Sequence, residues 1–220
     1  MGKLLRIITP LHKKTRRDYI GRMTDEKVAC MKIAKKFGFD YWDGDRRFGY
    51  GGYKYDGRFI AVAHKLISLY KLKKNARIAD VGCGKAHLLY ELRKLLSDAE
   101  VVGFDISGYA LSHAPSMARS HLKLHKAQDR YLYPDKYFDL VISINTLHNL
   151  KIFDMKKALS EIERVGKRKF IVVESYRNER ELFNLQCWAL TCESFLGKDE
   201  WIWLFEHFGY SGDYEFIYFT

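Results

Sequence analysis

The sequence predicts an α/β chain: a doubly wound, mostly parallel sheet with an N-terminal helical and loop extension. Three observations carry that expectation. Residues 77–88 run from a short apolar strand (Ile78, Ala79, Val81) through Gly82 and Gly84 into a helical pattern at Leu88, Leu89, Leu92, Leu95 and Leu96. Strand, glycine turn and helix make the first half of a nucleotide-binding βαβ unit, Rossmann-like in outline. Next, Val101, Val102, Gly103 and Phe104 lead into Asp105, 21 residues after Gly84, where an acid suits a pair of ribose hydroxyls. Finally, apolar strands and amphipathic helices alternate through the rest of the chain, which implies a parallel sheet with helices on both faces.

In chain order, residues 1–23 hold a basic cluster (Lys13, Lys14, Arg16, Arg17) without helical periodicity and read as an arm. Thr24 reads as an N-cap with Asp25 and Glu26 in the first turn, where the helix dipole favours acids. Val28, Met31, Ile33, Ala34 and Phe37 continue that helix, and Gly38 ends it. Residues 39–58 are rich in glycine, charge and aromatics (Tyr41, Trp42, Phe48, Tyr50, Tyr53, Tyr55). Such a loop is expected to fold over a site, with packing on the sheet edge as the alternative. Phe59, Ile60, Ala63, Leu66, Ile67 and Tyr70 mark a core-facing helix. Strands are expected near 77–81, 100–104, 122–126, 138–144 and 169–174. Helices are expected near 86–96, 108–118, 154–165 and 199–208. Residues 213–219 give a last strand, expected to be antiparallel at or near one edge. Between the fifth strand and the last helix, Leu182, Phe183, Leu185, Trp188 and Ala189 sit at helical spacing.

The net charge is +11, and its distribution matters more than its size. Residues 1–76 carry 19 Lys/Arg against 7 Asp/Glu; residues 77–220 carry 19 against 20. The whole excess therefore precedes the first glycine turn. It implies an anionic partner (nucleic acid, a phosphorylated or carboxylated small molecule, or a membrane surface) or else a merely solvated basic face. No apolar run approaches the ~20 residues of a bilayer span. The first nine residues are too short and interrupted for a signal peptide. Cys30, Cys83, Cys187 and Cys192 show no Cys-x-x-Cys spacing, so reduced thiols and a cytoplasmic location are expected.

Three segments carry a family resemblance. Asp80-Val81-Gly82-Cys83-Gly84-Lys85, Gly103-Phe104-Asp105-Ile106-Ser107 and Phe138-Asp139-Leu140-Val141-Ile142-Ser143 resemble the first, second and fourth motifs of class I S-adenosylmethionine-dependent methyltransferases. The match covers roughly residues 60–220. It divides the chain into a basic extension with an aromatic lid loop, 1–58, and a methyltransferase domain, 59–220, within one structural domain. The resemblance implies S-adenosylmethionine as cofactor. Asp80 and the backbone of Gly82, Cys83 and Gly84 would cradle its amino-acid part. Asp105 would take the ribose hydroxyls, Ile106 the adenine face, Gln128 or Asp129 the adenine edge, and Asn145 and Thr146 the sulfonium side. Two positions depart from the pattern: Ala86 replaces a third glycine, and Ala127 stands where an Asp is usual. A weaker resemblance, in the aromatic loop and in Trp201–Tyr210, points to uncharacterised bacterial methyltransferases found with surface-polysaccharide genes.

Methyl transfer to a hydroxyl needs alignment, exclusion of water and a proton acceptor. The candidates are His148, Glu174 and His87, each with a purely structural alternative; an amine, carboxylate or phosphate acceptor would need no base. Tyr50, Tyr53, Tyr55, Arg58, Tyr176 and Arg177 are the expected acceptor lining, and Arg46 and Arg47 could add charge for an anionic group. Asn145 stands at the fourth strand tip where a catechol-type metal site would want acids, so no metal is expected. There is no Asn/Asp-Pro-Pro-Tyr/Phe motif and no Pro-Cys nucleophile, which marks down base methylation. The leading expectation is O-methylation of a small anionic molecule: a sugar, sugar-phosphate or nucleotide-linked precursor. The alternatives are an RNA methyltransferase clamped by the basic N-terminal third and a non-catalytic binding protein. Both the acceptor atom and a homodimer stay open.

Overall fold

Six parallel strands form a single sheet in the order β3-β2-β1-β4-β5-β6. The computed structural model describes residues 2–220. Four short helices come first: α1 (Thr9–His12), α2 (Tyr19–Thr24), α3 (Lys27–Ala34) and α4 (Phe39–Trp42). A 3-10 turn at Arg46–Phe48 precedes the long α5 (Ile60–Tyr70). The alternating part follows: β1 (Arg77–Val81), α6 (His87–Leu95), β2 (Glu100–Asp105), α7 (Gly108–Ser112), α8 (Ser116–Arg119) and β3 (Leu122–Leu124). Then come β4 (Leu140–Ile144), α9 (Ile152–Val165), β5 (Lys169–Ser175), α10 (Glu179–Trp188), α11 (Lys198–His207) and β6 (Asp213–Tyr218).

The strands alternate between two cores, as a period of two residues demands. Ile78, Val101, Leu140, Ile142, Phe170, Val172 and Ile217 face α5 and α6. Ala79, Val81, Val102, Phe104, Val141, Ile171 and Val173 face α9 and α11. Both faces are covered, which is why the strands read as near-continuous apolar runs.

The structure corrects three expectations about elements. The last strand is parallel to β5, in register from Phe170↔Asp213 to Ser175↔Tyr218, rather than antiparallel. Helices α10 and α11 form a full crossover before it, and a crossover returns the chain in the same direction. The expected helix at 108–118 breaks at Pro115, which has no N–H and sits extended before α8 (ψ 138°). Thr24 is the last residue of α2, not an N-cap; its Oγ1 donates back to the Ile20 carbonyl at 3.0 Å. Helix α3 starts instead after Glu26, in the left-handed region at φ 44°.

The basic arm is not loose. Leu5 N–H donates to Tyr214 O at 2.8 Å and Tyr214 N–H to Lys3 O at 3.0 Å, so the arm lies along the outer edge of β6. The backbone N–H groups of Ile7, Ile8 and Thr9 then converge on the buried Glu215 carboxylate at 2.6–3.0 Å. One carboxylate thus satisfies donors that the short α1 leaves unpaired. This anchor delivers His12 and Arg17 to the C-terminal edge of the sheet.

Candidate active site

Ligands of open parallel sheets sit at the carboxyl ends of the strands. Here the ends of β1, β2, β4 and β5 converge beneath residues of the loop at 39–58. The lid is held by chemistry rather than by hydrophobic contact alone. Lys85, in the glycine turn, donates to both Asp43 oxygens at 2.6 Å; Tyr109 OH donates to Asp43 at 2.7 Å. The indole N–H of Trp42 donates to Ser107 Oγ at 2.9 Å. Trp42 stacks on Tyr50 (5.3 Å, 12°), and Tyr53 stacks on His87 (5.0 Å, 7°).

Three adjoining cavities lie under this lid, and Tyr50 and Asn145 line all of them. The first, about 270 Å³, is mostly apolar and lies between Phe37, Trp42, Ile106, Ala127 and Gln128, with Asp105 at its floor. The Asp105 carboxylate accepts from Gly84 N–H (2.7 Å) and Ser107 N–H (2.8 Å), which ties the two strand-end turns together. Burial raises its pKa while those hydrogen bonds oppose the rise. A carboxylate offers about four lone-pair sites, so acceptor capacity remains toward the cavity.

The second pocket, about 190 Å³, runs along the glycine turn past Asp80, Gly82, Cys83, Gly84 and His87. Gly82 and Gly84 are both left-handed (φ 78° and 54°). A Cβ on Gly82 would lie 1.9 Å from Thr146 Oγ1, and one on Gly84 2.6 Å from the Trp42 ring. Only glycine lets this turn pass so close to its neighbours. Asp80 is 4% exposed, and its Oδ1 is buried without a partner. Burial and the nearby Asp105 raise its carboxyl to about 7. A buried acid without a partner calls for a cationic ligand. Asn145 is also left-handed (φ 54°) with a buried, unpartnered Oδ1. An apolar slot with an acid at its floor, a glycine cradle and an orphaned carboxylate fits S-adenosylmethionine.

The third cavity, about 330 Å³, is polar. Arg17, Arg22, Arg46 and Arg58 line it together with His148, Glu174 and Trp188. Glu174 is pushed up to about 7 by burial, an effect that Arg17 partly offsets. His148 is 3% exposed and held low, at about 3, by burial. Its Nδ1 accepts from the Glu174 backbone N–H at 3.3 Å, which leaves Nε2 as the N–H, 3.4 Å from the Glu174 carboxylate. That tautomer makes His148 a donor to Glu174, not a proton acceptor. His87, lowered to about 4 by burial, stacks on Tyr53 and meets Tyr55 edge-on.

Most of the expected cofactor residues come together: Asp80, Gly82, Cys83, Gly84, Asp105, Ile106, Gln128, Asn145 and Thr146 all line the first two cavities. Asp129 does not; it is exposed, one residue beyond the turn that places Gln128. Of the expected acceptor lining, Tyr50, Tyr53 and Arg58 are present. Tyr55 is diverted to Glu91 on α6, Tyr176 to Glu200, and Arg177 to Glu181 and the Tyr218 ring. Arg47 turns away to Asp25, whereas Arg46 points inward. The sequence reading missed Phe37, His12 and Arg22 as lining, and placed Arg17 only in a basic arm. Their signal was the charge excess of the N-terminal third, which does not say which arginines turn inward.

Comparisons with known proteins bear on the family and the fold. The family described as "Methyltransferase domain" matches residues 72–209. A probable methyltransferase, LtbC, from Aspergillus luteorubrus is 32% identical over 108 residues. That stretch is 44% of this chain and only 38% of the fungal protein. Among solved structures, a putative methyltransferase from Bacillus halodurans has a TM-score of 0.54 at 20% identity, covering 67% of this chain and 68% of the other. A SAM-dependent methyltransferase from Archaeoglobus fulgidus has a TM-score of 0.53 at 22% identity, covering 69% and 68%. At such identities these two establish the fold. The family match spans more than half of the sequence, and the chain belongs to the methyltransferase-domain family.

Proposed function

We propose that this S-adenosylmethionine-dependent methyltransferase methylates a hydroxyl of a small anionic molecule. The observation that carries the reading is the meeting of the cofactor-type cavities with an arginine-lined polar cavity at Tyr50 and Asn145. The cofactor supplies a methyl on a sulfonium, already activated for in-line displacement. Asp80, Asp105 and the glycine turn hold it; Tyr50 and Asn145 flank the point of transfer. The arginines orient the acceptor by its anionic part, which converts an encounter into an aligned attack. Glu174, whose carboxyl burial raises to about 7, would accept the proton of the acceptor hydroxyl during the transfer. His148 is a positioning residue that orients the Glu174 carboxylate through Nε2–H. The stacked lid over the junction excludes water.

A sugar, sugar-phosphate or nucleotide-linked precursor of surface polysaccharide suits a cavity of this size and charge, in a cytoplasmic setting. Among the described residues no helix is long and apolar enough to cross a membrane. An RNA acceptor is disfavoured because Arg17, Arg22 and Arg46 turn into a cavity instead of forming an outer stripe. The test is methyl-labelled cofactor mixed with protein and host extract split into small-molecule, RNA and protein fractions. Label in the small-molecule pool is expected; label in RNA would overturn the reading.

A further inference from the structure

Among the described residues, three guanidinium groups in the polar cavity have no carboxylate in direct contact with them. Arg17, Arg22 and Arg46 surround one ring, 5.4, 4.3 and 5.2 Å from the centroid of Trp188. Neighbouring Arg47 and Arg58 pair with Asp25 and Asp56. No acid lies within ion-pair distance of Arg17, Arg22 or Arg46 among the described residues. Backbone carbonyls hold the three side chains in place instead. Arg17 donates to Thr15 O at 2.9 Å, Arg22 to Arg47 O at 3.1 Å and Arg46 to Tyr50 O at 2.7 Å. Arg17 also donates to His12 O and His12 Nδ1, and Arg22 to Gly49 O; with five N–H donors on each guanidinium, each keeps at least two for a ligand. The Nε of Arg17 is buried and has no partner at all.

Charge and shape together identify the ligand. Among the described residues Glu174 is the one carboxyl that lines the cavity, and it can carry at most one negative charge. Three permanent cations therefore face no more than one anion, a balance that a single carboxylate group leaves uncompensated. The three groups also come from different parts of the chain: the arm after α1, helix α2 and the 3-10 turn of the lid. They approach from several sides. A planar carboxylate presents two oxygens in one plane, whereas a phosphoryl group presents three arranged around an axis.

We propose that Arg17, Arg22 and Arg46 form a phosphoryl-binding subsite, so that the methyl acceptor is a phosphorylated small molecule with its hydroxyl at the Tyr50–Asn145 junction. The proposal rests on the small-anion reading above and narrows it to one chemistry.

Calorimetric titration of the purified protein with inorganic phosphate, and with malonate as a comparator of carboxylate chemistry, tests the subsite directly. Phosphate is expected to bind at least about tenfold more tightly than malonate. Arg46→Gln and Arg22→Lys should each weaken phosphate by about tenfold or more, the effect of losing a charge-assisted bidentate contact. Affinity for S-adenosylhomocysteine should stay unchanged in both, which shows that the variants are folded. Equal binding of phosphate and malonate, or unchanged phosphate affinity in both folded variants, overturns the subsite. A second arm treats the small-molecule extract with phosphatase before the labelled-methyl assay. Loss of labelling supports the subsite. Undiminished labelling overturns it while leaving the small-molecule reading intact, and label confined to RNA overturns both.

Discussion

Lowering the pH from 7 to 6 should weaken cofactor binding about fivefold, because Asp80 must give up a proton to receive the ligand's ammonium. The Asp80 carboxyl is buried, lacks a partner on Oδ1 and lies near the like-charged Asp105, which together raise it to about 7. It is then about half ionised at pH 7 and roughly one-eleventh ionised at pH 6, a ratio of about five, or ~1 kcal/mol. The sign follows from linkage: the ammonium favours the carboxylate, so binding gains as pH rises through 7. The window must stay below the ligand's own amino group, which titrates near ~8. Calorimetry with S-adenosylhomocysteine, which keeps the ammonium but carries no methyl, reads the affinity at both pH values. Glu174 is also held at about 7, so it needs a control. The slope should survive in Glu174→Gln and vanish in Asp80→Asn. An affinity that is flat from pH 6 to 7, or a slope that survives Asp80→Asn, would refute the assignment of Asp80.

Other outcomes follow from the same geometry. Glu174→Gln should lower kcat by about 10²–10⁴ while leaving S-adenosylhomocysteine affinity intact, the usual share of a general base; equal turnover would remove Glu174 from the chemistry. With cofactor saturating, so that Asp80 is already ionised by its ligand, the pH profile of kcat/KM for the acceptor should rise through about 7, since the base must be ionised, and Glu174→Gln should abolish that limb. Asp43→Ala strands Lys85, 6% exposed in the glycine turn, and should cost about 3–5 kcal/mol in urea unfolding; a loss below ~1 kcal/mol would mean that the Asp43 carboxylate does not hold the lid. Gly82→Ala puts a Cβ against Thr146 at a left-handed position, and should lower the melting temperature and abolish cofactor binding.

The legible parts of this chain are those whose cause is local. The apolar runs of β1, β2, β4 and β5 and the glycine turn reveal the sheet, because buried parallel strands and a left-handed turn each impose residue types over a few positions. The cofactor side followed, since Asp80, Asp105, Ile106 and Asn145 are strand-end residues that the sheet aligns without further choice. The acceptor side was less legible, because its groups are gathered by long-range packing. Arg17 and Trp188 meet across 171 positions, and the arm that carries Arg17 is fixed by Glu215 near the other end of the chain. Helices α1 and α2 are too short to show a 3.6-residue period. Tyr55, Tyr176 and Arg177 sit beside site residues in sequence, yet nearby carboxylates (Glu91, Glu200, Glu181) draw their polar ends elsewhere. The direction of β6 depends on a crossover of two helices, whose spacing resembles that of an insert followed by a hairpin.

The most direct test of the central claim is a crystal structure of the complex with S-adenosylhomocysteine. The account predicts adenine beside Ile106 and Gln128, the ammonium on Asp80, and the sulfur at the Tyr50–Asn145 junction facing Arg46 and Glu174. A sulfur directed away from the arginine cavity, or an ammonium that avoids Asp80, would contradict it.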